Sequence, residues 1–310
     1  MEKCHGDQRG YQLLCLLSGI SVAVYLLLGK GFHLQGAWVS CIQSQCFRQT
    51  MISPAQYATF FYPYSFVVLS LCVCGLIFRG LVSRPKQTTV LLFFTSLAFV
   101  GLIVMSVLSW QKHQMPLWTA MHFLFALILL LCIVRMWISA GDFPVLNTYK
   151  LRVLRPYSCF AFFLVMLSVL VSTWMNVQFA DLSCPTFPDC NGHYGLVGAW
   201  WKGHFLLAST DPKFSGGGLV LAARENLQMI SRYVSLLAVF YLSFYSLVIM
   251  IAKRFRALRP YGALLFILLV SQVLFGVLDT LWYELWPVHL IFLASEVLVF
   301  LLLATIVYRT

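Results

Sequence analysis

The chain has 310 residues, of which 61% are hydrophobic and 10% charged, and its formal net charge is +11. Soluble globular domains are roughly 45–50% apolar and about 25% charged, so this composition does not describe one. The basic residues are scattered at the ends of apolar runs rather than gathered in a patch, which argues against a nucleic-acid partner.

Eight apolar runs are long enough to cross a bilayer, which takes about 20 helical residues. In lipid a helix satisfies every backbone polar group internally. The first run, 11–29, follows Lys3 and Arg9; no small-residue cleavage site follows it, so it reads as a retained span. An outer loop with "VSCIQSQC" (39–46) comes next, carrying Cys41 and Cys46. Span 58–78 leads to the basic inner loop "FRGLVSRP" (78–85), then span 88–109, a short outer turn and span 117–138, which holds His122. A segment with Gly141, Asp142, Pro144 and Asn147, residues 139–156, leads to span 157–176. A long outer stretch follows. It opens with "LSCPTFPDCNG" (182–192), carrying Cys184 and Cys190, and later contains Gly216-Gly217-Gly218. Long ordered loops are often functional, and this one reads as a lid over the outer mouth. Span 230–252, the inner loop "KRFRALRP" (253–260) and span 261–282 come next, then an outer turn and span 286–308, with His289 and Glu296. Asp279 and Glu284 are assigned to that turn and expected to be solvated.

Loop charge sets the orientation. One set of loops holds 14 of the 21 basic residues, so that side, with both termini, is expected to be cytoplasmic or matrix. All four loop cysteines then face the outer side, where disulfides persist. Cys15, Cys72, Cys74, Cys132 and Cys159 fall in or at the ends of spans and Cys4 at the inner terminus; these read as packing or inert thiols.

The two halves match. Arg79, Arg84, Pro85 and Gly101 align with Arg254, Arg259, Pro260 and Gly276 at an offset of 175 residues. Each fourth span places one histidine near its outer end. The expected fold is all-α and integral to the membrane: eight transmembrane helices as two four-helix bundles related by internal duplication. Residues 1–138 form one bundle, 139–156 a cytoplasmic linker and 157–310 the other. Same-direction repeats imply a pseudo-twofold axis along the membrane normal.

The candidate chemistry sits near the outer face. Ionisable side chains inside spans usually face a bundle interior, and imidazole is a common heme-iron ligand. A lone histidine near a helix end is more simply a hydrogen-bonding group; two at equivalent places point to a cofactor. The C-x4-C and C-x5-C pairs differ from usual zinc spacing. Short disulfide loops return modest stability, so a staple and a redox-active or site-shaping disulfide both stay open. Glu296, two turns beyond His289 on nearly the same face, suits a proton route or a cofactor contact; pairing with a neighbouring Asn, Ser or Arg is the plainer reading. Arg48, Lys112, Lys202, Arg224 and Arg232 surround the outer mouth. They suit anionic groups of a cofactor or lipid headgroups. Trp118, Trp200, Trp201 and Trp286 fit an interfacial belt.

"ADLSCPTFPDCNG" (180–192) resembles the second-half outer loop of heme A synthases, the CtaA family; "LQGAWVSC" (34–41) is similar to the first-half loop and "SQVLFGVL" (271–278) to a seventh-span pattern. The resemblance implies oxidation of the C8 methyl of heme O to a formyl group for terminal oxidases. It implies a heme b in the C-terminal half with His289 as ligand, and substrate heme O in the N-terminal half with His122 as ligand. The outer cysteine pairs would be redox-active or structural. It also implies a bacterial inner membrane with periplasmic cysteine loops, and heme O synthase or a terminal oxidase as partners beside lipid. The family's E-x-x-H-R pattern reads here as Gln228, Ser231 and Arg232, and span two has no histidine. Met229, Tyr57, Tyr62 and Tyr64 are the available substitutes for the two absent ligands. The competing reading is a non-catalytic heme-binding or accessory subunit of oxidase assembly. A thiol–disulfide oxidoreductase lacks C-x-x-C, and a transporter would rest on Glu296 alone.

Overall fold

In a computed structural model, the described residues are 2–41, 55–83, 89–111, 116–140, 153–178, 180, 183, 184, 186–196, 221–281 and 286–309. They form eight long α-helices: α1 (Glu2–Cys41), α2 (Ala55–Ser83), α3 (Thr89–Gln111), α4 (Pro116–Ala140), α5 (Arg155–Val177), α6 (Leu221–Ile251), α7 (Arg259–Leu281) and α8 (Trp286–Arg309). A 3-10 turn, Lys253–Leu258, bends at Phe255 and joins α6 to α7. Pro260 then takes an early position of α7, where its missing N–H has no helical partner to lose. All eight helices are long and apolar enough to cross a membrane, and the chain is a multi-pass membrane protein.

Two helices run further than their apolar runs suggest. The first span was expected to end at 29, with an outer loop carrying Cys41; instead α1 continues to Cys41. No proline interrupts the chain before Pro54, so nothing breaks the ladder. Cys41 is thereby carried about 18 Å past Gly29, at 1.5 Å per residue. Similarly, α6 starts nine residues before the expected 230, because "LAARENLQM" is polar yet rich in helix formers. Cys46, Arg48, Lys112, Lys202, Glu284, Gly216–Gly218 and most of the 139–156 linker lie outside the described residues, as do the side chains of Cys41 and Tyr57.

Within each half, successive helices pack side by side and the fourth returns to the first. Helices α1 and α4 of one half meet α5 and α8 of the other. The helices are apolar all round because their outer faces meet lipid: Phe240 is 79% exposed, and Leu71 and Phe78 also point outward. Association in lipid draws on close packing and interhelical hydrogen bonds. Gln12 Nε2 donates to the Ala140 carbonyl at 2.8 Å, tying α1 to α4. Ser158 Oγ and Tyr245 Oη lie 2.6 Å apart between α5 and α6.

The third and fourth helices of each half meet through a glycine and a phenylalanine. A Cβ built on Gly101 would overlap the Phe125 ring, and one on Gly276 would sit 3.1 Å from the Phe292 ring. Each phenylalanine lies three residues beyond its histidine, His122 or His289. Three residues on a helix return to the same face, so the glycine contact also fixes what faces each imidazole.

Candidate functional site

His289 lies in the first turn of α8 and is 4% exposed. Opposite it, in the last turn of α7, stands Asp279, 7% exposed. Its Oδ2 lies 2.8 Å from His289 Nδ1. The expectation of a solvated Asp279 is therefore overturned: α7 runs on to Leu281 and carries the carboxylate into the bundle. Burying an acid is costly unless it is paired and hydrogen-bonded, and the imidazole N–H supplies that partner. Glu296 is thus not the sole acid within the spans.

This pairing selects the tautomer of the neutral ring: Nδ1 carries the proton toward the carboxylate, and Nε2 then holds the lone pair. Nε2 is buried and has no hydrogen-bond partner among the described residues; the same holds for Asp279 Oδ1. A carboxylate behind the remote ring nitrogen is the usual support for a metal-binding imidazole. No group of three His, Cys, Asp or Glu suited to a metal ion occurs among the described residues. A metal already held by a macrocycle, which needs only an axial ligand from the protein, fits this donor better than a bare ion does.

His122 on α4 is equally buried, at 4% exposure, but its surroundings differ. Ser106 on α3 donates to the Leu102 carbonyl at 2.7 Å. Ser106 Oγ also lies 2.9 Å from His122 Nδ1, and Tyr25 Oη lies 2.6 Å from His122 Nε2; with the Ser106 proton on Leu102, a neutral ring donates from Nδ1. Tyr62 donates to Tyr25 at 2.9 Å and its Oη lies 3.2 Å from Nε2. The Tyr25 and Tyr62 rings stack at 5.0 Å. Close approach of α1 is possible because Gly29 has no side chain: a Cβ there would lie 3.1 Å from both Tyr62 and Phe123.

The second outer loop is seated on α6. Cys184 and Cys190 are disulfide-bonded, with Cα atoms 4.7 Å apart. Cys190 and His193 exchange backbone hydrogen bonds, both 2.9 Å. The turn between them uses left-handed backbone at Asn191 and Gly192 (φ 51° and 86°), which Asn and Gly adopt most readily. Arg232 clamps this loop. Its Nη1 donates to the Asp189 carbonyl at 2.7 Å and its Nη2 to the Cys184 carbonyl at 3.1 Å. Gln228 accepts from Ser183 at 3.0 Å, and Glu225 accepts from Asn191 Nδ2 at 2.7 Å. Residues 225, 228 and 232 share one helical face. Met229 is buried against the disulfide, and Ser231 is buried in the same turn.

Glu296 is buried at the junction of the halves, beside a cavity of about 30 Å³ also lined by Leu26, Phe123, Thr173 and Phe300. That is the volume of about one water molecule. The sequence-derived candidates thus fall into separate places: His289 with Asp279, His122 with two tyrosines, Arg232 and Met229 against the disulfide, and Glu296 between the halves. Asp279, Tyr25, Ser106 and Glu225 were not anticipated. Asp279 carried a usable signal, because it falls inside the apolar run 261–282 and an acid there warrants a partner.

Eight long apolar helices, a disulfide-closed loop seated on α6 and a buried imidazole with an unpartnered nitrogen define a multi-pass helical membrane protein. Residues 59–306 match the model of the cytochrome oxidase assembly protein family, COX15-CtaA. The chain belongs to that family. Comparison with curated proteins gives no match.

Proposed function

We propose that this chain serves cytochrome oxidase assembly as a heme-binding membrane protein, with a heme b held through His289 Nε2. The observation that carries the reading is the buried, unpartnered Nε2, with Asp279 holding the proton on Nδ1. A bound heme b would supply one-electron redox chemistry. This chain's own residues orient the imidazole, keep its open nitrogen away from solvent, and close the outer side with the Arg232-clamped loop. The membrane of residence on this reading is the bacterial inner membrane, with the disulfide loop in the periplasm.

The finer activity is conversion of heme O to heme A by oxidation of the C8 methyl. The disulfide loop favours it, since Cys184, Cys190, Gln228 and Arg232 form one unit at the stretch that resembles heme A synthases. The surroundings of His122 and the serine at 231 favour the accessory reading, in which heme is held and not converted. Purified chain should give a b-type pyridine hemochrome, and His289→Ala should abolish it; a colourless wild-type preparation after heme supplementation ends the proposal. Expression with a heme O source, followed by chromatography of extracted hemes, separates the readings. Appearance of heme A supports the enzyme, and unchanged heme O supports the accessory protein.

A further inference from the structure

The resemblance assigns His122 to a second iron, and the residues around it do not fit that task. An axial ligand needs an available lone pair. At His289 one nitrogen is open; at His122 both are engaged, Nδ1 by Ser106 and Nε2 by Tyr25. With Ser106 donating to the Leu102 carbonyl, the arrangement favours donation from His122 Nδ1; with Tyr62 donating to Tyr25, it favours donation from Tyr25 to Nε2, which Tyr62 Oη also approaches at 3.2 Å. Freeing Nε2 for iron would break the 2.6 Å Tyr25 contact and force the Tyr25–Tyr62 pair to reorient in a buried, aromatic site flanked by Phe66 and Phe123, at a cost in hydrogen bonding.

We infer that the N-terminal half carries a phenol–imidazole proton pair, Tyr25 with His122, in place of an iron site, and that each chain holds a single heme. The second part rests on the reading of His289 given above; the first does not. The pair keeps one proton on Tyr25 Oη, shared toward Nε2 across 2.6 Å, with the Tyr62 hydroxyl beside both atoms, 2.9 Å from the phenol oxygen and 3.2 Å from Nε2. This arrangement suits holding or passing a proton near the outer face.

Two measurements decide it. The first uses heme-free, ¹⁵N-histidine-labelled chain in lipid nanodiscs and solid-state NMR, with His122 assigned by difference from His122→Gln. The expected result is a neutral ring protonated at Nδ1, with an Nε2 resonance shifted by hydrogen bonding. That shift should be lost in Tyr25→Phe and reduced in Tyr62→Phe. A ring protonated at Nε2, or an Nε2 signal indifferent to Tyr25→Phe, overturns the proton pair. The second is heme stoichiometry after reconstitution with hemin. One heme per chain is expected, retained in His122→Gln and lost in His289→Gln. Two hemes per chain, or loss of heme in His122→Gln with an unchanged gel-filtration profile, overturns the single-site claim. Wild-type chain that takes no heme overturns both the His289 reading and the single-heme claim, while the NMR result still decides the proton pair.

Discussion

Asp279 and His289 form a carboxylate–imidazole pair between the last turn of α7 and the first turn of α8, with 2.8 Å between Oδ2 and Nδ1. The aspartate holds the ring through Nδ1 and so directs where Nε2 points.

Asp279→Leu should therefore weaken heme binding without removing the ligand. Loss of such a supporting carboxylate typically costs about 10–100-fold in metal affinity. Hemin titration followed by absorbance at the Soret band would measure it. Asp279→Asn should be intermediate, because an amide oxygen can still accept from Nδ1. Wild-type affinity in both variants would remove Asp279 from any role in positioning the ring.

Arg232→Ala should loosen the outer loop. Three carbonyls, those of Cys184, Pro188 and Asp189, lose their shared cation. Reduction of the Cys184–Cys190 bond by a mild thiol, read by maleimide trapping, should become several-fold faster. Arg232→Lys should recover little of this, since one ammonium cannot span carbonyls reached by two separate guanidinium nitrogens. Equal reduction rates in all three chains would mean that the clamp does not control access to the disulfide.

The same disulfide is expected to be a modest staple. Loop entropy for so short a closure gives about 2 kcal/mol. A Cys184→Ser, Cys190→Ser double variant should thus lower the thermal midpoint of the detergent-solubilised chain by a few degrees and leave it folded. Complete loss of folded protein would show that the loop carries far more of the outer architecture.

Gly101→Ala should destabilise the N-terminal bundle more than Gly276→Ala does the C-terminal one. The new methyl would overlap the Phe125 ring in the first case and meet Phe292 at 3.1 Å in the second. Overpacking of this kind costs about 1–3 kcal/mol, and the second contact can relax by a small shift of the ring. Thermal unfolding in detergent should rank the variants in that order. The reverse order would mean that Phe125 swings aside freely.

Much of the architecture was legible because membrane spans announce themselves by apolar length and by the charge of their flanks. The spans, the loop holding Cys184 and Cys190, and the burial of both histidines follow from local pattern. The partners of those histidines do not. Tyr25 and Tyr62 sit 97 and 60 residues before His122, and nothing in an apolar run marks which aromatic hydroxyl turns inward. Asp279 was hidden by a boundary: whether it is solvated or buried depends on two further residues of helix, a margin that hydropathy does not resolve. Arg232 shows the same limit differently. Its place beside the outer mouth was readable, but its engagement with loop carbonyls depends on how residues 183–193 fold back onto α6.

Among the described residues, His289 Nε2 and the Asp279 Oδ1 beside it are both buried without a hydrogen-bond partner. Around His122, by contrast, each imidazole nitrogen is satisfied. Before any occupant arrives, then, the two histidine sites differ: both imidazole nitrogens of His122 are engaged, and the His289–Asp279 pair holds unmet bonding capacity. An occupant bound at that nitrogen should therefore raise the thermal midpoint of the whole protein, and by more as its concentration rises.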